Sequence, residues 1–261
     1  MKIAFIGAGA MGGAMAEGFV KSGLFAPADV TVSAPHKSTT DKFAALGVNA
    51  TCDNREAAMG ADVVVVAVKP WLVAEVVAEI KPVLDYSRQT ILSVAAGVSG
   101  ADLTAMLERD GGSLPPVFIA IPNIAIAIGC SMTYVLPVNT PGEGDTRRMA
   151  DMFNAVGETM IIEERLLPAV VQSSCSIAYA MRYIGASVAG FVQLGFKAAA
   201  ARDVVLQTVK GAVAILQANG TLPEAEIYKV TTPGGYTIRG LNEMERAGFT
   251  NAVIRGLVDN K

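Results

Sequence analysis

A chain of 261 residues that is 52% hydrophobic and 17% charged, with a formal net charge of −3, has room for one large or two modest domains. It carries more apolar residues than an average soluble protein, which implies a large buried interface between copies of the chain. The acidic balance, with no Lys/Arg cluster, excludes a nucleic-acid footprint. Cys52, Cys130 and Cys175 are far apart and in no C-x-x-C spacing, so they read as reduced core thiols of a cytoplasmic protein, with no metal site. No signal-peptide pattern precedes the first strand, and the apolar stretch 183–196, bracketed by Arg182 and Lys197, is too short to span a membrane.

Residues 3–6, Ile-Ala-Phe-Ile, form the apolar run expected of a strand buried on both faces of a parallel sheet. Gly7, Gly9 and Gly12 then fit G-x-G-x-x-G, and a helix is predicted over 14–20, the strand-loop-helix context in which this spacing binds a dinucleotide. Gly7 permits the tight turn, Gly9 lets backbone approach a diphosphate, and Gly12 lets the helix pack close to the strand. The loop residues Ala10 and Met11 join them as cofactor contacts, because amides at a helix start are free to face an anion. Close packing alone would also use these glycines; the flanking strand and helix favour the cofactor.

A second strand is predicted over 28–32, and its end lies about 20 residues beyond the glycine loop, where the adenine ribose is read. An NAD-selective protein places Asp or Glu there. This chain offers Ser33, Ala34, Pro35, His36, Lys37 and Ser38, hydroxyls and a cation suited to a 2′-phosphate, so NADP is expected, with NADPH favoured over NADH. The same segment reads also as a solvated turn before a helix capped by Ser38 or Thr39. His36 is the only histidine, and its place at the adenosine end leaves no imidazole for chemistry at the nicotinamide.

Further strands are predicted over 48–51 and 61–68, the second a β-branched run ending in Lys69-Pro70-Trp71. Ligands of open α/β sheets lie beyond the carboxyl ends of the strands, so Val68, Lys69 and Pro70 are expected to border the nicotinamide half; Lys69 reads equally as an exposed strand-end charge. A helix over 72–81, a strand over 90–94 that is closed by Ala95, a helix over 102–109 and a strand over 117–121 ending at Pro122-Asn123 follow. A strand over 131–138, a helix over 143–156 and a short extended piece over 158–162 complete an α/β, doubly wound parallel sheet of Rossmann type, residues 1–163. Residues 164–261 read as all-α, with helices over 170–190, 199–217, 223–230 and 238–246. Two long apolar helices cannot bury their surface in so short a domain, so a partner subunit is expected to cover them.

Within this helical half, Thr231-Thr232-Pro233-Gly234-Gly235-Tyr236-Thr237 is a hydroxyl- and glycine-rich turn that opens a helix. Its free amides make an anion site of the kind that holds a carboxylate. Thr237 reads equally as an N-cap.

With these pieces in place the chain resembles the pyrroline-5-carboxylate reductases, which make proline from its cyclic imine with NAD(P)H. The resemblance runs over essentially the full length and rests on 5–12, on Ala67-Val68-Lys69-Pro70, on Ser93-Val94-Ala95-Ala96-Gly97-Val98, on Pro122-Asn123 and above all on 230–237. It implies that Thr237 lies next to the imine nitrogen as the catalytic residue, and that the turn with Thr232, Gly234 and Gly235 holds the carboxylate of a small imino acid. It implies further that Asn123 and Lys69-Pro70 line the nicotinamide pocket, and that the helical half interlocks in a homodimer or higher homo-oligomer, with no nucleic-acid or membrane partner.

Three departures from the family pattern imply an altered pocket. Ile119-Ala120-Ile121-Pro122-Asn123-Ile124-Ala125 stands for Arg-x-Met-Pro-Asn-x-Pro, without the arginine or the second proline. Ser173-Ser174-Cys175-Ser176-Ile177-Ala178-Tyr179 stands for Ser-Gly-Ser-Gly-Pro-Ala-Tyr, and Tyr236 replaces a small residue. The alternatives are a β-hydroxyacid dehydrogenase, for which Lys197 or Lys210 would transfer the proton, another imine reductase with an altered substrate, and a non-catalytic NADPH-binding protein.

Overall fold

In the computed structural model, which describes residues 1–258, the N-terminal unit, Met1–Ser174, is built on one eight-stranded sheet. Its elements alternate as β1 (Ile3–Ile6), α1 (Ala10–Lys21), β2 (Val30–Ser33), α2 (Lys37–Ala44), β3 (Asn49–Thr51), α3 (Asn54–Met59), β4 (Val63–Val66), α4 (Val73–Ile80), β5 (Thr90–Ser93), α5 (Gly100–Leu107), β6 (Val117–Ile121), β7 (Ser131–Pro137), α6 (Glu143–Asn154) and β8 (Gly157–Ile161). The spatial order is β3-β2-β1-β4-β5-β6-β7-β8. Because β1 has neighbours on both sides and helices lie on both faces, its side chains alternate between two cores. Ile3 and Phe5 enter one, around Phe19, Phe25 and Phe153; Ala4 and Ile6 enter the other, around Val64, Val77 and Leu103. Burying each of the larger side chains stabilises the fold by about 1.5–3 kcal/mol.

The doubly wound sheet is present as expected, with one reversal. β6 and β7 pair antiparallel, and β8 runs parallel to β7. The reason is the connection: residues 122–130 hold only a 3₁₀ turn, Ile124–Ile128, and a parallel crossover needs a dozen or more residues. At the amino edge of the sheet, Asp62 accepts the backbone N–H of Lys2 at 2.7 Å and a guanidinium hydrogen bond from Arg88 at 2.6 Å. The Lys2 amide first, and Arg88 with it, hold the Asp62 carboxyl below its ordinary range, against the opposing effect of its partial burial.

The remaining helices are α7 (Leu167–Gln193), α8 (Ala198–Asn219), α9 (Pro223–Lys229), α10 (Tyr236–Arg246) and α11 (Phe249–Val258). The two compact units divide between Ser174 and Cys175, inside α7. In the second unit Tyr183 and Phe249 meet edge to face, and the Tyr179 hydroxyl donates to the Gly256 carbonyl at 3.0 Å, which ties α7 to α11.

Several expectations are corrected. Residues 183–193 of the stretch 183–196 belong to a longer helix: Glu164–Gln193 is long and apolar enough to cross a membrane by length and composition, and its most apolar window is not buried within the chain. The three cysteines are exposed and are not core thiols. Cys52 follows the edge strand β3, Cys130 ends the loop before β7, and Cys175 lies on the outer side of α7. Neither Ser38 nor Thr39 caps α2, which begins at Lys37 with His36 in the cap position.

Candidate active site

Parallel register brings the carboxyl ends of five strands to one edge. Ile6 pairs with Ser33 and with Val66, Val66 with Ser93, and Ser93 with Ile119. Gly7, the segment from Ser33 to Lys37, Val68 to Pro70, Ala95 and Asn123 therefore all leave the sheet on the same side, where ligands of open α/β sheets bind. The ladder continues into the loops through Gly7 N–H to Ser33 C=O at 3.0 Å and Val94 N–H to Val66 C=O at 3.0 Å.

The glycine loop has a shape that fits a diphosphate. Gly7 has a φ of +102°, and a Cβ on Gly12 would lie 2.0 Å from the Gly7 carbonyl oxygen and 2.9 Å from the Ala67 Cβ. These two glycines are thus demanded by the fold itself. Gly9 is different, because a Cβ there would meet nothing within 4 Å. Its open side is where a phosphate can approach backbone. Gly9 occupies the cap position of α1 with no side-chain hydrogen bond, so the amides that follow at Ala10 and Met11 are available to an anion.

Where the adenosine end is expected, His36 and Lys37 are exposed. The Ser33 hydroxyl is not available there, contrary to expectation. Ser33 is fully buried and donates to Asn54 Oδ1 at 2.7 Å, while Asn54 Nδ2 donates to Glu79 Oε2 at 2.7 Å. Where the nicotinamide half is expected, Lys69 is exposed and Val68 and Pro70 are half-buried. Ala95 is buried, so it offers backbone only.

Asn123 is held on three sides. Its N–H donates to Ser131 Oγ at 3.1 Å, its Oδ1 accepts the Ala125 N–H at 3.0 Å, and its C=O accepts the Ile126 N–H at 3.1 Å. The side-chain Nδ2 is what remains. Sequence reading missed Ser131, Ser174 and Asn54 as supports of this edge. Their partners are 8 to 52 residues away in the chain, and no local pattern signals such pairs; only the capping signature Asp53 to Glu56 marks the helix that carries Asn54.

In the second unit, the turn before α10 gathers Thr232, Gly234, Gly235 and Thr237. Gly234 has a φ of +69°, and a Cβ on Gly235 would lie 2.4 Å from Thr232 Oγ1. The Gly235 amide, expected to hold a carboxylate, instead donates to the Thr232 carbonyl at 3.0 Å. Gly235 itself takes the cap position of α10, again with no side-chain cap, which leaves the amides of Tyr236 and Thr237 in the helix's first turn. Thr237 is therefore not an N-cap. Tyr236 is 90% exposed, with the Arg239 guanidinium 5.0 Å from its ring centroid. Lys197 precedes α8 and Lys210 lies within it, both exposed.

The two largest concavities described lie away from these residues. One of about 740 Å³ is flanked by Gly100, Val138 and Glu164; one of about 780 Å³, strongly apolar, lies between α7 and α11 around Tyr183 and Phe249. Neither includes a candidate site residue. The candidate residues of the first unit form an open rim, and those of the second an exposed turn.

Comparison with known proteins covers both units. A family model for pyrroline-5-carboxylate reductase dimerisation matches residues 163–260, and one for NADP oxidoreductase, coenzyme F420-dependent, matches residues 2–97. The chain is 34% identical to pyrroline-5-carboxylate reductase 1 of Dictyostelium discoideum over 98% of its own length, although it spans only 48% of that longer protein. It is 33% identical to the pyrroline-5-carboxylate reductase of Escherichia coli, over 98% of this chain and 94% of the relative. Among solved structures it is similar to the Plasmodium falciparum pyrroline carboxylate reductase with NADP bound, at a TM-score of 0.89 and 26% identity, covering 98% of this chain and 94% of that one. The enzyme from Streptococcus pyogenes follows at a TM-score of 0.85 and 27% identity, with 98% and 95% covered. A likeness of this extent takes in the glycine loop and the threonine-glycine turn together, and the chain belongs to the pyrroline-5-carboxylate reductase family.

Proposed function

We propose that this chain is a reductase that converts pyrroline-5-carboxylate to proline with a nicotinamide cofactor, NADPH in preference to NADH. The observation that carries the reading is the extent of the family match. Many dinucleotide enzymes share a glycine loop, but the 33% identity here runs over 94% of a pyrroline-5-carboxylate reductase and includes the turn at 232–237.

In this reading Gly7, Gly9, Ala10, Met11 and Gly12 hold the diphosphate, His36 and Lys37 meet the 2′-phosphate, and Val68, Lys69, Pro70, Ala95 and Asn123 border the nicotinamide half. The cofactor, when bound, supplies the hydride. The chain's own work is to bind, orient and keep a proton in place. Amides of Gly234, Tyr236 and Thr237, with the Thr232 hydroxyl beside them, hold the substrate carboxylate at the start of α10. The Thr237 hydroxyl accepts the hydrogen bond of the iminium N–H, which keeps the nitrogen protonated and fixes the imine carbon for attack. A protonated imine is already a good electrophile, so no strong acid is needed, in keeping with a chain whose one histidine lies at the adenosine end.

We take residues 1–163 as the dinucleotide-binding domain and 164–261 as the substrate-binding and dimerisation domain of a cytoplasmic homo-oligomer. The apolar surface of α7 and its neighbours is then covered by a second copy, and the membrane-length helix needs no membrane. Support comes from the dimerisation family model over 163–260.

The test is steady-state reduction of pyrroline-5-carboxylate with NADPH and NADH side by side, on the wild type and on Lys37→Ala. The wild type is expected to turn over, faster with NADPH. Lys37→Ala raises the KM for NADPH about tenfold, the worth of a hydrogen bond to a charged group, and leaves NADH nearly unchanged. No turnover with either cofactor overturns the substrate; equal weakening of both overturns the phosphate role of Lys37.

A further inference from the structure

Serine inside a helix ordinarily returns its hydroxyl to a carbonyl one turn back. Ser174 does not: its Oγ donates to the Pro122 carbonyl at 2.6 Å, across 52 residues of sequence. Its neighbour Ser173 places Oγ 2.6 Å from the Tyr134 hydroxyl, and Tyr134 pairs with Ile121 across β6 and β7. Two consecutive residues of α7 thus hold β7 at Tyr134 and the chain just beyond the end of β6 at Pro122.

The consequence falls on Asn123. Pro122 C=O and Asn123 N–H belong to a single peptide plane, and that plane is rigid. Ser174 holds its oxygen and Ser131 holds its N–H, at 3.1 Å, so the plane cannot rotate. Next, the Ala125 N–H donates to Asn123 Oδ1. The family pattern has proline at this place, and proline has no N–H to give. Two departures from the pattern, a hydroxyl at 174 and an N–H at 125, therefore act on the same residue, the first through the peptide plane before it and the second on its side chain.

We infer that Ser174 is a positioning residue: with the Ala125 amide it fixes the Asn123 side chain so that Nδ2, and not Oδ1, is presented at the carboxyl edge of the sheet. This rests on reading Asn123 as part of the nicotinamide pocket. It gives the altered segments a common task, replacing the rigidity lost with the second proline.

The experiment compares Ser174→Thr with Ser174→Val in the full-length protein, two substitutions of one shape that differ in the hydroxyl. Hydrogen-deuterium exchange of the peptide spanning 119–131 is measured without cofactor, and kcat and KM are measured with NADPH and pyrroline-5-carboxylate. Val is expected to raise exchange at 123–126 and to lower kcat/KM about fivefold, mainly in kcat, the scale of one net hydrogen bond. Thr is expected to match the wild type in both. Val and Thr behaving alike, or turnover falling with exchange unchanged, overturns the assignment. If Val does not fold, Ser174→Gly takes its place, since it removes the hydroxyl without adding bulk. A wild type without turnover defeats the proposed function, while the exchange comparison still decides whether Ser174 holds the turn.

Discussion

Two of the protein's glycine turns, those before α1 and α10, each open a helix with uncapped amides, and they are held in opposite ways. The turn before α1 is part of its core: a Cβ on Gly12 would strike the Gly7 carbonyl oxygen at 2.0 Å, and one on Gly7 would lie 2.8 Å from the Ala67 carbonyl oxygen. The turn before α10 stands at the surface. Thr232, Pro233 and Gly234 are exposed, and a Cβ on Gly234 would meet nothing within 4 Å. The first turn is thus specified by the packing of a doubly wound sheet, whatever ligand it binds. The second is specified by little around it in its own unit, so its residue choices point to a ligand more directly.

Substitution at the first turn separates fold from function. Gly12→Ala is expected to cost at least about 3 kcal/mol, beyond ordinary overpacking because the obstacle is backbone. That lowers Tm by about 10 °C and abolishes measurable NADPH binding. Gly9→Ala meets no atom, so it leaves Tm unchanged and weakens NADPH about tenfold or more by occupying the diphosphate's approach. Calorimetry and cofactor titration on the pair check this. A Gly12→Ala protein as stable as the wild type would remove the distinction between the two turns.

At the second turn the expected effect is smaller and purely chemical. Thr237 is exposed within the first turn of α10 and makes no cap, so Thr237→Ala leaves Tm unchanged. It lowers kcat/KM about tenfold, the worth of about 1.4 kcal/mol in the transition state. A change in stability with unchanged kinetics would return Thr237 to a structural role and make the two turns alike.

This difference also explains what could be read from the residues alone. β4 was legible because four consecutive valines between turn signals admit few other elements, and the glycine spacing was legible because strand and helix flank it. The 232–237 turn has no such frame: its residues read as an anion site or a helix cap, and the role of Thr237 beside the imine came from resemblance. The reversal of β7 was open to inference from the short 122–130 connection but is invisible to strand periodicity. α3 carried a readable start in Asp53 and Glu56, whose cap is present: Asp53 Oδ1 accepts the amides of Arg55 and Glu56. The burial of Ser33 and the reach of Ser174 to Pro122 could not be read, since each depends on a partner brought close only by the tertiary fold. The exposure of Cys130 and Cys175 likewise depends on which face of an apolar segment the fold turns outward.

What ties the connection of α8 to α9, just ahead of the second turn, is electrostatic, and this gives the smallest of the expected effects. Glu226, on α9, accepts hydrogen bonds from Lys229, Thr221 and Asn219. Lys229 first, then Thr221 and Asn219, lower its pKa from the ordinary 4.5 to about 2. A carboxylate depressed in the folded state contributes stability that is fully present above its unfolded value and is lost as pH falls through the folded one. Acidification from about pH 4.5 towards 2 is therefore expected to loosen the 219–232 segment. The glycine loop before α1 has no such dependence, because apolar and backbone contacts hold it. An acid-sensitive tie of its unit, Asp62 with Lys2 and Arg88, lies at the opposite edge of the sheet. Hydrogen exchange read across that pH window should rise at 219–232 and stay level at 5–13. Glu226→Gln should make the 219–232 segment loose at every pH and remove the slope. Equal loosening of both segments on acidification would mean that one cooperative unfolding governs them, and the contrast between a turn built into a core and one that follows a segment tied by charge would fail.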